Sequence, residues 1–168
     1  MDHLMDAPTR RENELDRVRT HVREYARKDV FRHLKEEVDP TGDRTVFAFD
    51  WLSTKRPLRL AYDARRRTLT LDRIFPDIPS DVEELGVRFL QDRQEGNGVP
   101  EHKRIDGSKV SGSLLREGSD ASLVFRLKDP HAQEYCVRKL VNFTNELFFR
   151  LQLKHGEYML QAFGGSDE

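Results

Sequence analysis

The 168-residue chain carries 29 basic and 30 acidic side chains, a formal charge of -1 and a mean hydropathy of -0.76. This balance removes the chain-wide positive field on which general nucleic-acid binders draw, while 36% hydrophobic residues is too many for a disordered polymer and enough for one core. A single cysteine, Cys136, excludes an internal disulfide framework; no run reaches the length of a membrane span, and Met1 to Arg11 lack the apolar core of a signal peptide, so a cytoplasmic location is expected.

Residues 1–12 read as a flexible leader, 13–163 as one domain and 164–168 as a polar tail. Leu15, Val18, Val22, Tyr25, Val30 and Leu34 recur mostly at spacings of three and four, which predicts one amphipathic helix, ended by Pro40 and Gly42. Thr45 to Leu52 alternates as a strand, with Phe47, Phe49 and Trp51 on one side. Pro57 to Arg73 reads as a hairpin with Arg65, Arg66 and Arg67 at its tip, and Ser80 with Glu83 has capping-box spacing for a helix over about 80–94. Glu95 to Pro100 stops that helix.

Lys109 to Arg116 and Ala121 to Lys128 then form two strands joined at Gly118. Pro130 opens a long helix whose apolar stripe, from Ala132 to Leu151, is widened by Val137, Val141 and Phe148 beyond the needs of a single sheet face. Gly156 ends it, and Tyr158, Leu160 and Ala162 alternate as an extra C-terminal strand. The expected class is α+β, an antiparallel sheet flanked by helices in the order α-β-β-β-α-β-β-α.

Chemistry-bearing patterns are sparse. His102 beside Glu101, His131 five before Cys136, and His21 twelve before His33 match no metal-ligand spacing, and Cys136 lies on an apolar helix stripe as a small hydrophobe would. Glu36-Glu37 and Glu83-Glu84 fall where capping and solvation explain them, and Gly96 and Gly98 precede a proline instead of a phosphate-binding helix. No catalytic residue, metal or cofactor is expected, so the chain reads as a non-enzyme that binds a protein or peptide. Phe47, Phe49, Trp51, Val141 and Phe148 are the candidate partner-binding residues, either as core or, if exposed, as interface anchors. Arg65, Arg66 and Arg67 are the candidate anion contacts, which with the first helix would support the alternative of binding nucleic acid or an acidic partner.

The hairpin from Leu58-Arg59-Leu60-Ala61-Tyr62 to Thr68-Leu69-Thr70-Leu71, the Ser80 helix after Pro76 and Pro79, the Ser122 to Lys128 strand and the long helix from Pro130 follow one another in a telling order. Over about Asn13 to Leu153 that order resembles the small type III secretion effector chaperones and the related YbjN-like bacterial proteins. The resemblance implies an α+β domain that forms a homodimer and binds protein segments along exposed apolar grooves, without cofactor or catalysis.

Overall fold

The computed structural model describes residues 7–39, 43–52 and 54–164. Its elements are α1 (Ala7–Arg27), β1 (Arg32–Val38), β2 (Arg44–Asp50), β3 (Leu58–Asp63), β4 (Thr68–Phe75), α2 (Ser80–Glu95), a 3-10 turn (Glu101–Lys103), β5 (Val110–Glu117), β6 (Asp120–Leu127), α3 (Gln133–Lys154) and α4 (Gly156–Phe163). The strands form one antiparallel sheet in the order β1-β2-β3-β4-β6-β5. The class is α+β, as expected.

Alternation decides which face of the sheet meets the helices. Phe47, Phe49, Leu58, Leu60, Tyr62, Leu69, Leu71, Leu123 and Phe125 share one face, all buried, and the helices pack there. Among the described residues no helix covers the opposite face. A row of Val46, Ala61, Thr70, Val124 and Ser113 crosses it in register, flanked by the ion pairs Arg59–Glu37 at 3.6 Å and Arg44–Asp72 at 3.8 Å. Small side chains in mid-sheet with charges around them suit a solvated face.

Two elements depart from the periodicity. The first helix stops at Arg27, and the segment expected to continue it is β1, so four strands precede α2. Asp29 takes the left-handed conformation (φ 64°), and the amide of Val30 bonds back to the carbonyl of Tyr25 at 2.9 Å, the wrap that closes a helix end. Val30 and Leu34 keep helical spacing by coincidence. The decisive residue is Phe31, off that stripe, which turns inward and stacks on Phe49 at 3.9 Å between ring centroids. The stop expected at Pro40 and Gly42 lies outside the described residues. At the N-terminus, α1 already begins at Ala7, inside the stretch expected as a leader.

At the other end, Tyr158 to Ala162 is helix α4, and no C-terminal strand forms there. Met159 and Phe163, four apart, are the buried pair, and Phe163 lies 4.8 Å from Phe148 and 6.2 Å from Phe75. Burying one helical stripe outweighed a three-residue alternation.

The two edge strands are treated differently. β1 is interrupted by a bulge near His33 (φ 57°) and carries Arg32, Lys35, Glu36 and Glu37, features that discourage another strand from pairing with it. β5 pairs with β6 along all eight residues without interruption, through a two-residue turn whose left-handed first position is Gly118 (φ 65°). Helix α2 lies close over β5. A Cβ on Gly112 would meet Leu90 at 3.1 Å and Phe125 at 3.0 Å, so only glycine lets the two layers approach this far.

Candidate functional site

The structure places all five candidate partner-binding residues inside. Phe47, Phe49 and Trp51 are buried beneath α1 and Phe31, with the Trp51 ring edge-on to Phe31 at 5.2 Å. Val141 and Phe148 are buried as well, and the width of the α3 stripe is explained by the chain itself: α1 and α4 pack on α3, and Phe148 is held between Phe75 and Phe163. These residues build the core and present no free surface.

The arginine triplet does not act as a unit. Asp63 Oδ1 accepts from the amides of Arg65 and Arg66, both at 3.0 Å, which fixes the turn and leaves those two side chains in solvent. Arg67 takes the left-handed position (φ 54°) and turns back to grip Glu14 of α1 with two hydrogen bonds of 3.1 and 3.0 Å. Glu14 is only 7% exposed, so this bidentate pair bridges helix and hairpin. One third of the expected anion site is thus committed to an internal carboxylate.

Exposed apolar surface lies elsewhere. The outer crest of α3 runs through Asn142, Asn145, Phe149, Gln152 and Leu153, all exposed and none charged, in a chain where 35% of residues are charged. Phe149 is 66% exposed and Leu153 67%; Leu160 of α4 adds 58%. Large apolar side chains this open, one helical turn apart, mark a surface that another molecule covers. In the sequence they are separated from the buried stripe only by one or two positions, so periodicity absorbs them into the core. The missing charges along the crest are the signal that could have revealed them.

Reactive chemistry is scarce among the described residues. Cys136 is buried and its thiol is pushed up by that burial, away from the reactive thiolate. Among the described residues no group of three His, Cys, Asp or Glu side chains is placed to hold a metal ion, and no helix is long and apolar enough to cross a membrane. A broad open groove of about 980 Å³ lies where α3 meets α4, but its charges alternate, with Lys55, Arg56 and Lys154 facing Asp77, Asp81 and Glu157. His155 stands 3.7 Å from Asp81 on its wall.

No family model matches the chain, and no curated protein or solved structure is significantly similar to it.

Proposed function

We propose that this chain is a non-catalytic, chaperone-like interaction module that shields an apolar segment of a partner polypeptide. The observation that carries this reading is the uncharged crest of α3, with Phe149 and Leu153 each about two-thirds exposed. Aromatic and aliphatic anchors of this kind supply binding free energy when a partner removes them from water. The Phe149→Ser, Leu153→Ser double variant is expected to fold with unchanged stability and to lose suppression of aggregation of the reduced insulin B chain, followed by light scattering. Equal suppression by variant and parent would overturn the reading. The arginine hairpin gives less support to nucleic-acid binding, since Arg67 is engaged by Glu14.

The same reading makes the module a homodimer joined along β5 and α2. Gly112 turns both its N–H and C=O away from β6, so by alternation Leu114 and Arg116 do the same, and no described residue meets their backbone groups. Antiparallel pairing with a second copy about an axis at Ser113 sets Lys109 opposite Glu117 of the second copy, twice. Gly86 touches Leu114, so that axis passes beside Val87, 43% exposed, and brings Glu84 towards Arg88 of the second copy. Leu115, 51% exposed, is covered on the other face. Gln94, whose amide bonds both polar groups of Gly112 at 2.8 and 3.1 Å, holds the incoming strand's place. Sedimentation velocity is expected to show a dimer at micromolar concentration that Val87→Glu with Leu115→Lys converts to monomer. A parent chain that stays monomeric would refute the pairing.

A further inference from the structure

Lys139 of α3 is 8% exposed, and among the described residues its ammonium has one hydrogen-bond partner, the carbonyl of His102 at 2.8 Å. Among the described residues it forms no ion pair. A largely buried cation held by a single neutral acceptor is costly, and Glu146 offsets its charge only in part. The Tyr135 ring, 5.4 Å away, offers a partial cushion, but it already faces Lys109 at 4.8 Å and Arg138 at 5.7 Å.

The surroundings increase the imbalance. Lys139 borders a small cavity of about 290 Å³ between α3, the end of α2 and the 3-10 turn, and Arg93, Lys103, Asn142, Asn145 and Glu146 share its wall. Among the described residues Glu146 is the only carboxylate on that wall, and both Arg93 and Lys103 contact it, the latter at 3.5 Å. Three cations therefore converge on one carboxylate, with two neutral amides at the rim. On this side of Lys139 positive charge is in excess, while Glu95, Glu101 and Asp106 line the groove on its other side.

We infer that this cavity is a binding site for a phosphate-sized oxyanion, free or as the phosphoryl group of a small molecule, with Lys139 as its central contact. Lys139 and Lys103 supply charge-assisted donors, Asn142 and Asn145 supply neutral ones, and Arg93 offsets the charge of Glu146, which shares the wall. A tetrahedral oxyanion has enough acceptors to use these donors together, and the modest volume favours a compact ligand. The site adjoins the N-terminal end of the exposed crest, sharing Asn142 and Asn145 with it, but it includes neither Phe149 nor Leu153 nor the Arg65–Arg66 turn, so it does not depend on the proposed partner-binding role.

The charge state of Lys139 follows the same geometry. Burial holds its ammonium below the ordinary lysine range, and Arg138 and Arg93 push the same way against Glu146. His102, Lys103 and Tyr135 also face it, Lys109 shares the Tyr135 ring, and Glu95, Glu101, Arg104 and Asp106 line the groove on its other side. An anion reverses the effect by favouring the charged form, so affinity declines as pH rises through the lowered titration of Lys139.

The test is titration of the full chain with inorganic phosphate, with glycerol 3-phosphate and with sulfate, followed by amide chemical shifts. Saturable shifts confined to the 3-10 turn and to α3 around Lys139 are expected. Lys139→Met should weaken binding by about tenfold or more, the loss of one charge-assisted hydrogen bond. Arg65→Ala with Arg66→Ala should leave binding unchanged. Sulfate, whose own charge is constant over the range, should bind less tightly as pH rises. Tighter binding of glycerol 3-phosphate than of phosphate would identify a phosphorylated small molecule as the ligand, and the reverse a free ion. Absence of saturable shifts in the parent chain, or equal affinity in a folded Lys139→Met variant, would overturn the inference.

Discussion

Replacing Phe31 with alanine is expected to lower folding stability by about 3–5 kcal/mol, the range for emptying a fully buried aromatic position. The ring stacks on Phe49, meets Trp51 edge-on and lies 5.2 Å from Tyr25, so one side chain joins the end of α1 to β2. Its loss removes apolar burial and also loosens the reversal after Arg27 that starts β1. Urea unfolding followed by the fluorescence of Trp51, the chain's single tryptophan, reports the change directly because that indole is buried in the same cluster. A shift below about 1 kcal/mol would contradict the role assigned to Phe31.

Arg67→Met is expected to cost about 2–3 kcal/mol, whereas Arg65→Ala and Arg66→Ala should each stay within about 0.5 kcal/mol. The difference comes from Glu14. Without its bidentate partner that nearly buried carboxylate is left without compensation, while the neighbouring arginines end in solvent. The arginine head is itself partly exposed, which keeps the expected cost below that of a fully buried pair. Denaturant midpoints of the three variants decide the matter, and equal values for all three would show that the triplet is only a solvated turn.

The sheet was legible wherever two-residue alternation was long and uninterrupted, as in Leu58 to Tyr62 and Leu123 to Leu127. So were α2 and the body of α3 from their apolar spacing, but not their starts: Pro79, not Ser80, holds the N-cap position of α2 and no side chain caps it, and α3 begins at Gln133, with Pro130 in the turn before it. Periodicity failed at α1–β1, where Val30 and Leu34 continued a helical rhythm across a reversal set by Asp29 and Phe31. It failed again at α4, where a short alternation concealed the Met159–Phe163 pair. Candidate binding residues chosen for aromaticity proved to be core, because Phe47, Phe49 and Trp51 are large enough to belong there. The exposed Phe149 and Leu153 look the same as their buried neighbours in a linear reading. Lys139 was invisible for a different reason: its isolation depends on where His102, Arg93 and Glu146 come together in space.

The depth at which Cys136 lies gives the molecule a practical property. Its sulfur is shut away and held in the thiol form, so oxidants and alkylating reagents should pass it by and disulfide-linked aggregates should not accumulate in air. A cysteine introduced at a solvent-facing position would then be the sole reactive thiol. Spin or fluorescent labels could be attached there one at a time, with the native residue left untouched.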